Sequence, residues 1–407
     1  MTAVRILRLA AGGDGVGRLP DGRTVFVPRT APGDLVNLAH IREHRRFARA
    51  RIERVVEPAA DRVEARCPHY VADDCGGCQL QHLSIEAQRE ARRSFVGDAL
   101  RRLGRLDVPD PPLEPAPREY DYRTKVTLAV SGDGRRIGLH PYDRAGHVFE
   151  LAWCHITVPP LMELWRAVRA LRALLPARLG HLVLRLDRQG GRHLILRSGP
   201  GEAWSGGAKL QAALAERQVV ATVWWQPEGG APRAVAGAGE AYPATVFEQV
   251  HPEMGDRVRA FALEALGPVS GRRVWDLYAG IGETTVRLAE AGAVVQSVES
   301  DTRAVVEAEA RGPRARRLAG RVEDVLRELT PPELVVTNPP RTGMHEHVSA
   351  ALERLAPRRI AYVSCDPATL ARDLTRMPGF RIGALRAFDL FPQTAHVETV
   401  ALLERVS

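Results

Sequence analysis

The stretch RVWDLYAGIGE, residues 273–283, decides the fold class of the C-terminal part of this 407-residue chain. Its first half, Arg273–Leu277, is an apolar strand, and a helix is predicted to follow from Thr284 to Glu290. Gly280 and Gly282 between them allow a ligand to approach the backbone, and the N-terminus of a helix favours negative charge. The segment therefore predicts a strand–turn–helix unit with a ligand site at the turn.

The same alternation of strands and helices continues on both sides of this unit. A helix with apolar periodicity from Met254 to Leu266 precedes it, and further strands are predicted at residues 293–298, 334–337 and 360–364. Strands that alternate with helices form a doubly wound, parallel sheet. We therefore predict a Rossmann-like α/β domain over residues 251–407.

Glu299 follows the second strand of this domain, where its carboxylate could accept hydrogen bonds from both hydroxyls of a ribose. The glycine spacing lacks the third glycine of the dinucleotide-binding fingerprint. Together, the turn and the acidic residue indicate an adenosyl cofactor rather than a pyrophosphate.

Basic residues outnumber acidic ones, 57 to 49, which gives a formal net charge of +8 at pH 7. All of the basic residues except Lys125 and Lys209 are arginine, whose planar fork of donors suits phosphate groups. A codon bias would explain the choice of arginine over lysine but not the positive excess. The charge therefore favours an anionic partner.

No apolar run is long enough to span a membrane, and Arg5 and Arg8 interrupt the short apolar N-terminus before a signal sequence could form. The five cysteines are an odd number, which does not indicate a disulfide framework. We therefore expect a cytoplasmic protein with no membrane contact.

Residues 1–58 contain closely spaced short strands, among them Thr24–Val27 and Leu35–Leu38, separated by turns. This pattern predicts a small closed β-barrel, an architecture found in compact nucleic-acid-binding modules. Residues 41–51 place five arginines around Phe47, which could stack on a base while the arginines contact phosphates. A solvent-exposed strand face is the alternative interpretation of this segment.

A cysteine-rich segment opens the central region, for which we predict a β-rich domain over residues 59–250. Four thiolates could bind either zinc or a [4Fe–4S] cluster, and their spacing does not distinguish the two. The candidate ligands are Cys67, Cys75, Cys78 and Cys154.

A charged helix is predicted over residues 84–105, with Ser84 as its N-cap and Gly104 near its end. A proline-rich linker follows it. The C-terminal domain is a candidate packing partner for this helix.

Two polar segments follow apolar strands of the α/β domain. Asn338-Pro-Pro-Arg-Thr-Gly343 contains two prolines, which cannot donate to a strand ladder and hold the chain stiffly. Cys365 follows the next strand, and Pro367 opens a helix whose dipole would favour a thiolate. Burial as a small apolar side chain is the alternative for this cysteine. Ligands bind at the carboxyl ends of strands in open α/β sheets, where both segments are expected.

The segment Phe388-Asp-Leu-Phe-Pro-Gln-Thr-Ala-His-Val-Glu398 is the last informative one. His396 and Glu398 are two residues apart, so we expect them on one face of a strand. With NPPRTG (338–343) and YVSC (362–365), this segment resembles the RNA uracil-C5 methyltransferases. The N-terminal residues resemble a TRAM domain, an RNA-binding barrel at the front of many members of that family.

The resemblance implies an S-adenosylmethionine-dependent enzyme that bonds covalently to its RNA substrate. A thiolate at Cys365 would add to C6 of uracil, which makes C5 nucleophilic enough to accept a methyl group. Glu398 would then remove the C5 proton as a general base. Because a base must leave its stack to be reached, an unstacked loop nucleotide is the expected target.

The resemblance also implies the cofactor ligands. The four cysteines of the central region would hold a [4Fe–4S] cluster, with zinc as the alternative, and only Cys365 is left for the reaction. The residues implied to line the S-adenosylmethionine site are Gln249, Tyr278, Gly280, Gly282, Glu283, Glu299 and Asn338.

Four positions depart from the family pattern. Asn338 stands where many members have Asp, and Asp366 where Asn is frequent. His251 replaces a common Asn, and Arg321 lies where an Asp or Asn is expected near the adenine. None of the four coincides with the two residues implied in catalysis, so the resemblance still implies activity.

Other classes of protein stay open at this point. RNA cytosine-C5 methyltransferases usually carry a cysteine in the Pro-Pro motif, where this chain has Arg341. A non-catalytic RNA-binding or ribosome-assembly factor would need neither Cys365 nor Glu398. Ribosomal RNA is favoured over transfer RNA by analogy, because this chain combines a leading barrel with a cysteine cluster. We expect a monomer.

Overall fold

The computed structural model describes residues 3–199, 201, 203–237, 248–312 and 315–406. The chain separates into two compact units. Unit 1 comprises Met1–Gln88, Pro117–Thr245 and Pro392–Ala395, and unit 2 comprises Arg89–Ala116, Val246–Phe391 and His396–Ser407. This division differs from the predicted boundaries at 58 and 250, because a segment of the central region groups with unit 2 and a short C-terminal segment groups with unit 1.

Five strands within residues 3–57 close into a barrel, as the sequence predicts. Alternate residues point inward, among them Val25 and Val27, which are fully buried. Closure leaves no sheet edge to pair with another chain. The strands are β1 (Ala3–Leu9), β2 (Gly15–Arg18), β3 (Thr24–Val27), β4 (Leu35–Glu43) and β5 (Phe47–Glu57), in the order β1-β2-β3-β5-β4.

Two helices and a short strand follow the barrel: α1 (Pro68–Ala72), α2 (Ile85–Arg102) and β6 (Leu113–Glu114). The Ser84 hydroxyl accepts a hydrogen bond from the amide of Ala87 at 3.3 Å and caps α2, as predicted. The helix ends at Arg102 rather than at residue 105, since Arg105 has a φ of 54°, outside the helical region. Val96 and Leu100 of α2 lie in a hydrophobic core of unit 2.

The described residues of unit 1 also form a seven-stranded sheet in the order β13-β12-β11-β10-β7-β8-β9. Two helices, α3 (Pro159–Ala170) and α4 (Gly207–Ala215), pack on it, and the buried Trp165 of α3 donates a hydrogen bond to the carbonyl of Leu151. The strands are β7 (Lys125–Val130), β8 (Ile137–Leu139), β9 (Phe149–Glu150), β10 (Leu179–Leu186), β11 (Arg192–Ser198), β12 (Thr222–Gln226) and β13 (Arg233–Ala236).

Unit 2 contains, in its described part, an eight-stranded sheet in the order β16-β15-β14-β17-β18-β20-β19-β6. Its strands are β14 (Arg273–Leu277), β15 (Val294–Glu299), β16 (Ala315–Ala319), β17 (Leu334–Thr337), β18 (Arg359–Ser364), β19 (Phe380–Phe388) and β20 (Glu398–Arg405), together with β6. Its further helices are α5 (Pro252–Leu266), α6 (Glu283–Glu290), α7 (Thr302–Arg311), α8 (Val322–Val325), α9 (Glu346–Leu355) and α10 (Pro367–Thr375).

Strands β14 to β18 are parallel, which confirms the Rossmann-like prediction, whereas β20 runs antiparallel to β18 and β19. Successive residues of the parallel strands face different cores: Trp275 and Val335 lie in one, Val274 and Val336 in another. Parallel strands expose their carboxyl ends at one edge of the sheet. No helix within the described residues is long and apolar enough to cross a bilayer.

Candidate active site

The antiparallel register between β18 and β20 sets the geometry of the site. Ser364, the last residue of β18, pairs with Thr399. Extending this register by one residue places Cys365 opposite Glu398, because paired positions in an antiparallel ladder move in opposite directions along the chain. The two residues that the family resemblance assigns to catalysis therefore face each other at the end of the ladder.

His396 does not share a strand face with Glu398, so that prediction is wrong. β20 begins only at Glu398, since residues 392–395 make their hydrogen bonds within unit 1 and do not join the ladder. The side chain of His396 is exposed, and a guanidinium nitrogen of Arg341 lies 3.4 Å from its Nε2 atom. His396 therefore accompanies the loop after β17.

Cys365 is half-buried directly before α10. Burial and the nearby Glu398 raise the pKa of its thiol to about 11, against an opposing effect of Arg341. We expected the N-terminus of α10 to favour the thiolate, and the pKa moves in the opposite direction. One reason is that the side chain of Asp366 already accepts two amides of the first helical turn, at 2.9 and 3.0 Å.

The carboxyl group of Glu398 is buried, and burial raises its pKa to about 8, again against an effect of Arg341. A carboxyl with a pKa near neutrality can take up and release a proton at physiological pH. At neutral pH both Cys365 and Glu398 are therefore mainly protonated, and Arg341 favours the charged form of each.

A buried carboxylate that the sequence did not single out, Asp373 of α10, holds the Arg341 loop in place. Asp373 accepts hydrogen bonds from the amide of Met344 and the hydroxyl of Tyr362, each at 2.7 Å. Arg372 donates to Asp373 at 2.8 Å and to the carbonyl of Thr342 at 2.7 Å. One side chain thus ties the loop after β17 to β18, the strand that directly precedes Cys365.

Backbone and acidic groups gather at the carboxyl ends of β14 and β15. The Glu299 carboxylate accepts the amides of Gly280 and Asp301 at 2.9 and 2.8 Å. Tyr278, Gly280 and Gly282 have φ values of 60°, 56° and 76°, so the chain turns sharply. A side chain added at Gly280 would meet no neighbour within 4 Å. The turn therefore leaves open space beside the Glu299 carboxylate.

The remaining predicted cofactor residues have different partners. The amide of Asn338 donates to the last carbonyl of β14 at 3.2 Å, and its side chain is exposed. Glu283 forms an ion pair with Arg259 of α5 at 2.9 Å. Gln249, which precedes α5, packs against Gly255 of that helix. A β-carbon added at Gly255 would lie 2.9 Å from the β-carbon of Gln249. The backbone of Asn338 is thus hydrogen-bonded to the end of β14, directly before the glycine turn, whereas Glu283 and Gln249 contact α5.

Asp276 was missed by the sequence reasoning. It is buried in β14 and accepts a hydrogen bond from the hydroxyl of Thr285 in α6. Burial raises the pKa of Asp276 to about 7, and Glu299 adds to this effect. A lone acidic residue in an otherwise apolar strand was the available signal. Its hydrogen bond fixes α6 behind the glycine turn.

Two departures from the family pattern occupy defined positions. His251 is buried at the N-cap of α5, where its Nδ1 atom accepts the amide of Met254. Arg321 is exposed at the N-cap of α8 and forms an ion pair with Glu323 at 2.6 Å. Burial raises the pKa of the Tyr278 hydroxyl to about 12, and Arg321 opposes this rise. The basic residue at 321 therefore lies near Tyr278, which directly follows β14.

The four predicted metal ligands gather in unit 1. Cys67, Cys75 and Cys78 are buried, and Cys154 is half-buried. Burial raises the pKa of the first three thiols, to about 12 for Cys75, and the proximity of Cys154 adds to each rise. Among the described residues, no three His, Cys, Asp or Glu side chains form a group able to hold a metal ion. The thiols are neighbours without forming such a group.

Aromatic and basic side chains meet on the barrel. His44 stacks on Phe47 with ring centroids 4.4 Å apart, and Phe26 meets Phe47 edge-on at 5.8 Å. The guanidinium of Arg49 lies 6.0 Å from the centre of the Phe26 ring. Phe47, which the sequence singled out, is thus one of three neighbouring rings. His44 lies only three residues before Phe47, whereas Phe26 comes from β3, so its proximity to Phe47 is not visible in the sequence.

The sheet order of unit 2 and the glycine turn beside Glu299 define the S-adenosylmethionine-dependent methyltransferase fold. A solved structure shares the fold of the whole chain: the tRNA (uracil-54, C5)-methyltransferase of Pyrococcus abyssi, in complex with S-adenosyl-L-homocysteine. It aligns with a TM-score of 0.75 at 22% identity, over 98% of this chain and 99% of that one.

Sequence comparisons narrow the class to a family. Residues 305–406 match the family model described as tRNA (Uracil-5-)-methyltransferase, and residues 2–52 match the TRAM domain. The 23S rRNA (uracil(1939)-C(5))-methyltransferase RlmD of Thiobacillus denitrificans is 33% identical over 99% of both chains. An uncharacterized RNA methyltransferase of Gloeobacter violaceus is 33% identical over 99% of this chain and 96% of its own. The chain belongs to the RNA uracil-C5 methyltransferase family, which confirms the resemblance found in its sequence.

The opposing effect of Arg341 predicts how the Cys365 thiol responds to pH. Alkylation of Cys365 by iodoacetamide should be slow at pH 7 and rise toward pH 11, since only the thiolate reacts. In Arg341→Ala the pKa of Cys365 should rise further, and a rise of one unit slows alkylation at a given pH about tenfold. Mass spectrometry of the Cys365 peptide across the pH range measures both profiles.

Arg321→Ala is the matched control, because it removes an exposed arginine of unit 2 that does not act on the thiol. Its profile should coincide with that of the unmodified protein. Complete alkylation at pH 7, or identical profiles for both arginine variants, would contradict this account of the site.

Proposed function

We propose that this protein transfers a methyl group from S-adenosylmethionine to C5 of a specific uridine in RNA. One observation carries the proposal: a thiol, Cys365, and a buried carboxyl, Glu398, face each other at the end of a strand ladder with Arg341 acting on both. Nucleophilic addition followed by proton removal requires this pair of groups.

The reaction divides between the two residues. The Cys365 thiol and the Glu398 carboxyl first release their protons to solvent. The thiolate sulfur of Cys365 then forms a bond to C6 of uracil, and the electron pair of the C5–C6 double bond shifts into an enolate, which makes C5 nucleophilic. S-Adenosylmethionine, when bound, supplies the methyl group to C5. Glu398 then accepts the C5 proton, the C5–C6 double bond forms again, and the C6–S bond breaks with its electron pair returning to sulfur.

The raised pKa of Cys365 makes ionisation of the thiol a costly step in the free protein. Arg341 offsets part of this cost, because a nearby cation stabilises the thiolate. The remaining charge passes to the pyrimidine ring as soon as the sulfur adds.

The turn after β14 would bind the nucleoside part of S-adenosylmethionine. Glu299 would accept hydrogen bonds from the ribose hydroxyls, and the open space at Gly280 would receive the sugar. Tyr278 and Asn338, which directly follow β14 and β17, would flank that space, and Gly282 is the N-cap of α6. Gln249 and Glu283, which contact α5, would border the site on that side.

RNA as the substrate is supported by the barrel surface as well as by the relatives. Stacked rings flanked by arginines, as formed by His44, Phe47 and Phe26 with Arg49, suit unpaired nucleotides. The Thiobacillus denitrificans relative is named for 23S rRNA, which supports ribosomal RNA. The neighbour named for tRNA is similar in fold alone, so transfer RNA is the second candidate.

The proposal includes a [4Fe–4S] cluster on Cys67, Cys75, Cys78 and Cys154. Its support is the gathering of four thiols in one region of unit 1. Thiolates are the ligands that both iron–sulfur clusters and zinc prefer, so zinc is the alternative occupant. Because methyl transfer involves no oxidation or reduction, a metal centre here would have a structural role.

Tritium release from RNA labelled at C5 of uridine tests the proposed reaction. The protein should release tritium from uridine in the presence of S-adenosylmethionine, because C5 loses its proton in the last step. Cys365→Ala should abolish release, and Glu398→Gln should reduce it by roughly 10²- to 10⁴-fold, the contribution expected of a general base.

The same assay separates the alternatives. Release from cytidine-labelled RNA instead of uridine-labelled RNA would identify a cytosine-C5 methyltransferase. Equal RNA binding by the protein and by Cys365→Ala, with no release from either label, would identify a non-catalytic RNA-binding factor and refute the proposal.

Anaerobic purification tests the metal. We expect a broad visible absorption band and about four iron atoms per chain if the cluster is present, and both should be lost in Cys78→Ser. Alanine at Cys365 is the matched control, since that cysteine has no part in the proposed cluster. Stoichiometric zinc without iron would replace the cluster with a zinc site, and a metal-free protein that retains full activity would refute both.

A further inference from the structure

Gln393, within the motif that precedes Glu398, has an unusual backbone conformation. It is not a glycine, yet its φ is 71°, in the left-handed region, and its side chain is buried. Such a conformation costs free energy in a residue with a β-carbon, and it persists only where surrounding contacts impose it. The hydrogen bonds at Gln393 therefore identify the residues that hold it in this conformation.

A second buried glutamine, Gln88, imposes the conformation from α2. The side-chain oxygen of Gln88 accepts the amide of Gln393 at 3.0 Å. The side-chain nitrogen of Gln88 donates to the side-chain oxygen of Gln393 at 2.9 Å. Two buried amide side chains thus satisfy each other, and loss of either would leave buried polar groups without partners.

The residues after Cys78 hold the rest of the turn. The carbonyl of Gln393 accepts the amides of Gln79 and Leu80 at 3.2 and 3.0 Å. The side-chain oxygen of Gln79 accepts the amide of Ala395 at 3.2 Å. All of these residues belong to unit 1, whereas the chain continues from Ala395 into His396 and Glu398, which belong to unit 2.

We infer that Gln88 is a positioning residue for the proposed reaction: it holds Gln393 in its left-handed conformation and so fixes the turn from which the chain enters β20 at Glu398. The inference rests on the proposed function, because it assigns the turn a role in proton removal. It also gives the cysteine segment a task, since Gln79 follows Cys78 directly and binds the same turn.

The consequence concerns the last chemical step. After methyl transfer, Glu398 must take the C5 proton before the C6–S bond can break. If the turn loosens, addition and methyl transfer continue while proton removal slows, so the methylated RNA stays bonded to Cys365. Displacement of a reacting group by about 1 Å can cost on the order of 10²-fold in rate.

Gln88→Ala tests the inference with ordinary uridine RNA. Tritium release should fall roughly 10- to 100-fold, and an RNA–protein adduct that resists denaturation should accumulate on gels. Gln88→Met keeps the side-chain volume without the amide, and it serves in the same assays if the alanine variant does not fold.

The double variant Gln88→Ala/Gln393→Gly distinguishes positioning from general stability. Glycine adopts a φ of 71° without strain, so the turn depends less on Gln88 and part of the lost rate should return. A purely structural role predicts that the second substitution makes the protein worse, since it adds flexibility.

Gln296→Ala is the matched control, because it removes another buried glutamine, whose side chain accepts the amide of Thr330 at 2.9 Å far from this turn in sequence. It should lower thermal stability without accumulation of adduct. The inference is overturned if Gln88→Ala behaves like Gln296→Ala, or if glycine at 393 brings no recovery. A failure of the unmodified protein to release tritium would instead overturn the proposed function, and the positioning role of Gln88 with it.

Discussion

The antiparallel register of β20 against β18 is the constraint on which the candidate active site depends. With Ser364 opposite Thr399, the residue after β18 and the first residue of β20 face each other, and these are Cys365 and Glu398. A shift of one residue would turn every side chain of β20 to the other face of the sheet. The register is protected because β20 lies between β18 and β19 and its interior side chains are buried on both faces.

Burial shapes the chemistry of this pair as strongly as proximity does. It raises the pKa of both groups, so each carries a proton near neutral pH, and Arg341 lessens the effect for both. The position of Arg341 depends in turn on Asp373, whose hydrogen bonds join the loop after β17 to β18. The site is therefore built by long-range contacts that hold the loop after β17 beside β18.

Local sequence signals predicted the parallel part of unit 2 well, since β14 and β17 have the predicted bounds. The family motifs pointed to Cys365 and Glu398 as the reacting pair, and in the structure Glu398 lies close enough to act on the pKa of the Cys365 thiol. The antiparallel β20 and the left-handed Gln393 were not predictable from local signals. The direction of β20 depends on its pairing with β18, and the conformation of Gln393 depends on Gln88, which lies 305 positions earlier in the chain. The pKa of Cys365 was expected to fall because the helix dipole is readable from sequence, whereas burial and the capping side chain of Asp366 are not.

Peptide mapping after reaction with 5-fluorouridine-substituted RNA tests the central claim most directly. Fluorine at C5 cannot leave as a proton, so the covalent intermediate persists after methyl transfer. The account predicts one RNA-linked peptide, which contains Cys365. The link should form only when S-adenosylmethionine is present to supply the methyl group, and it should survive denaturation. A link at another cysteine, or no link although the RNA binds, would contradict it.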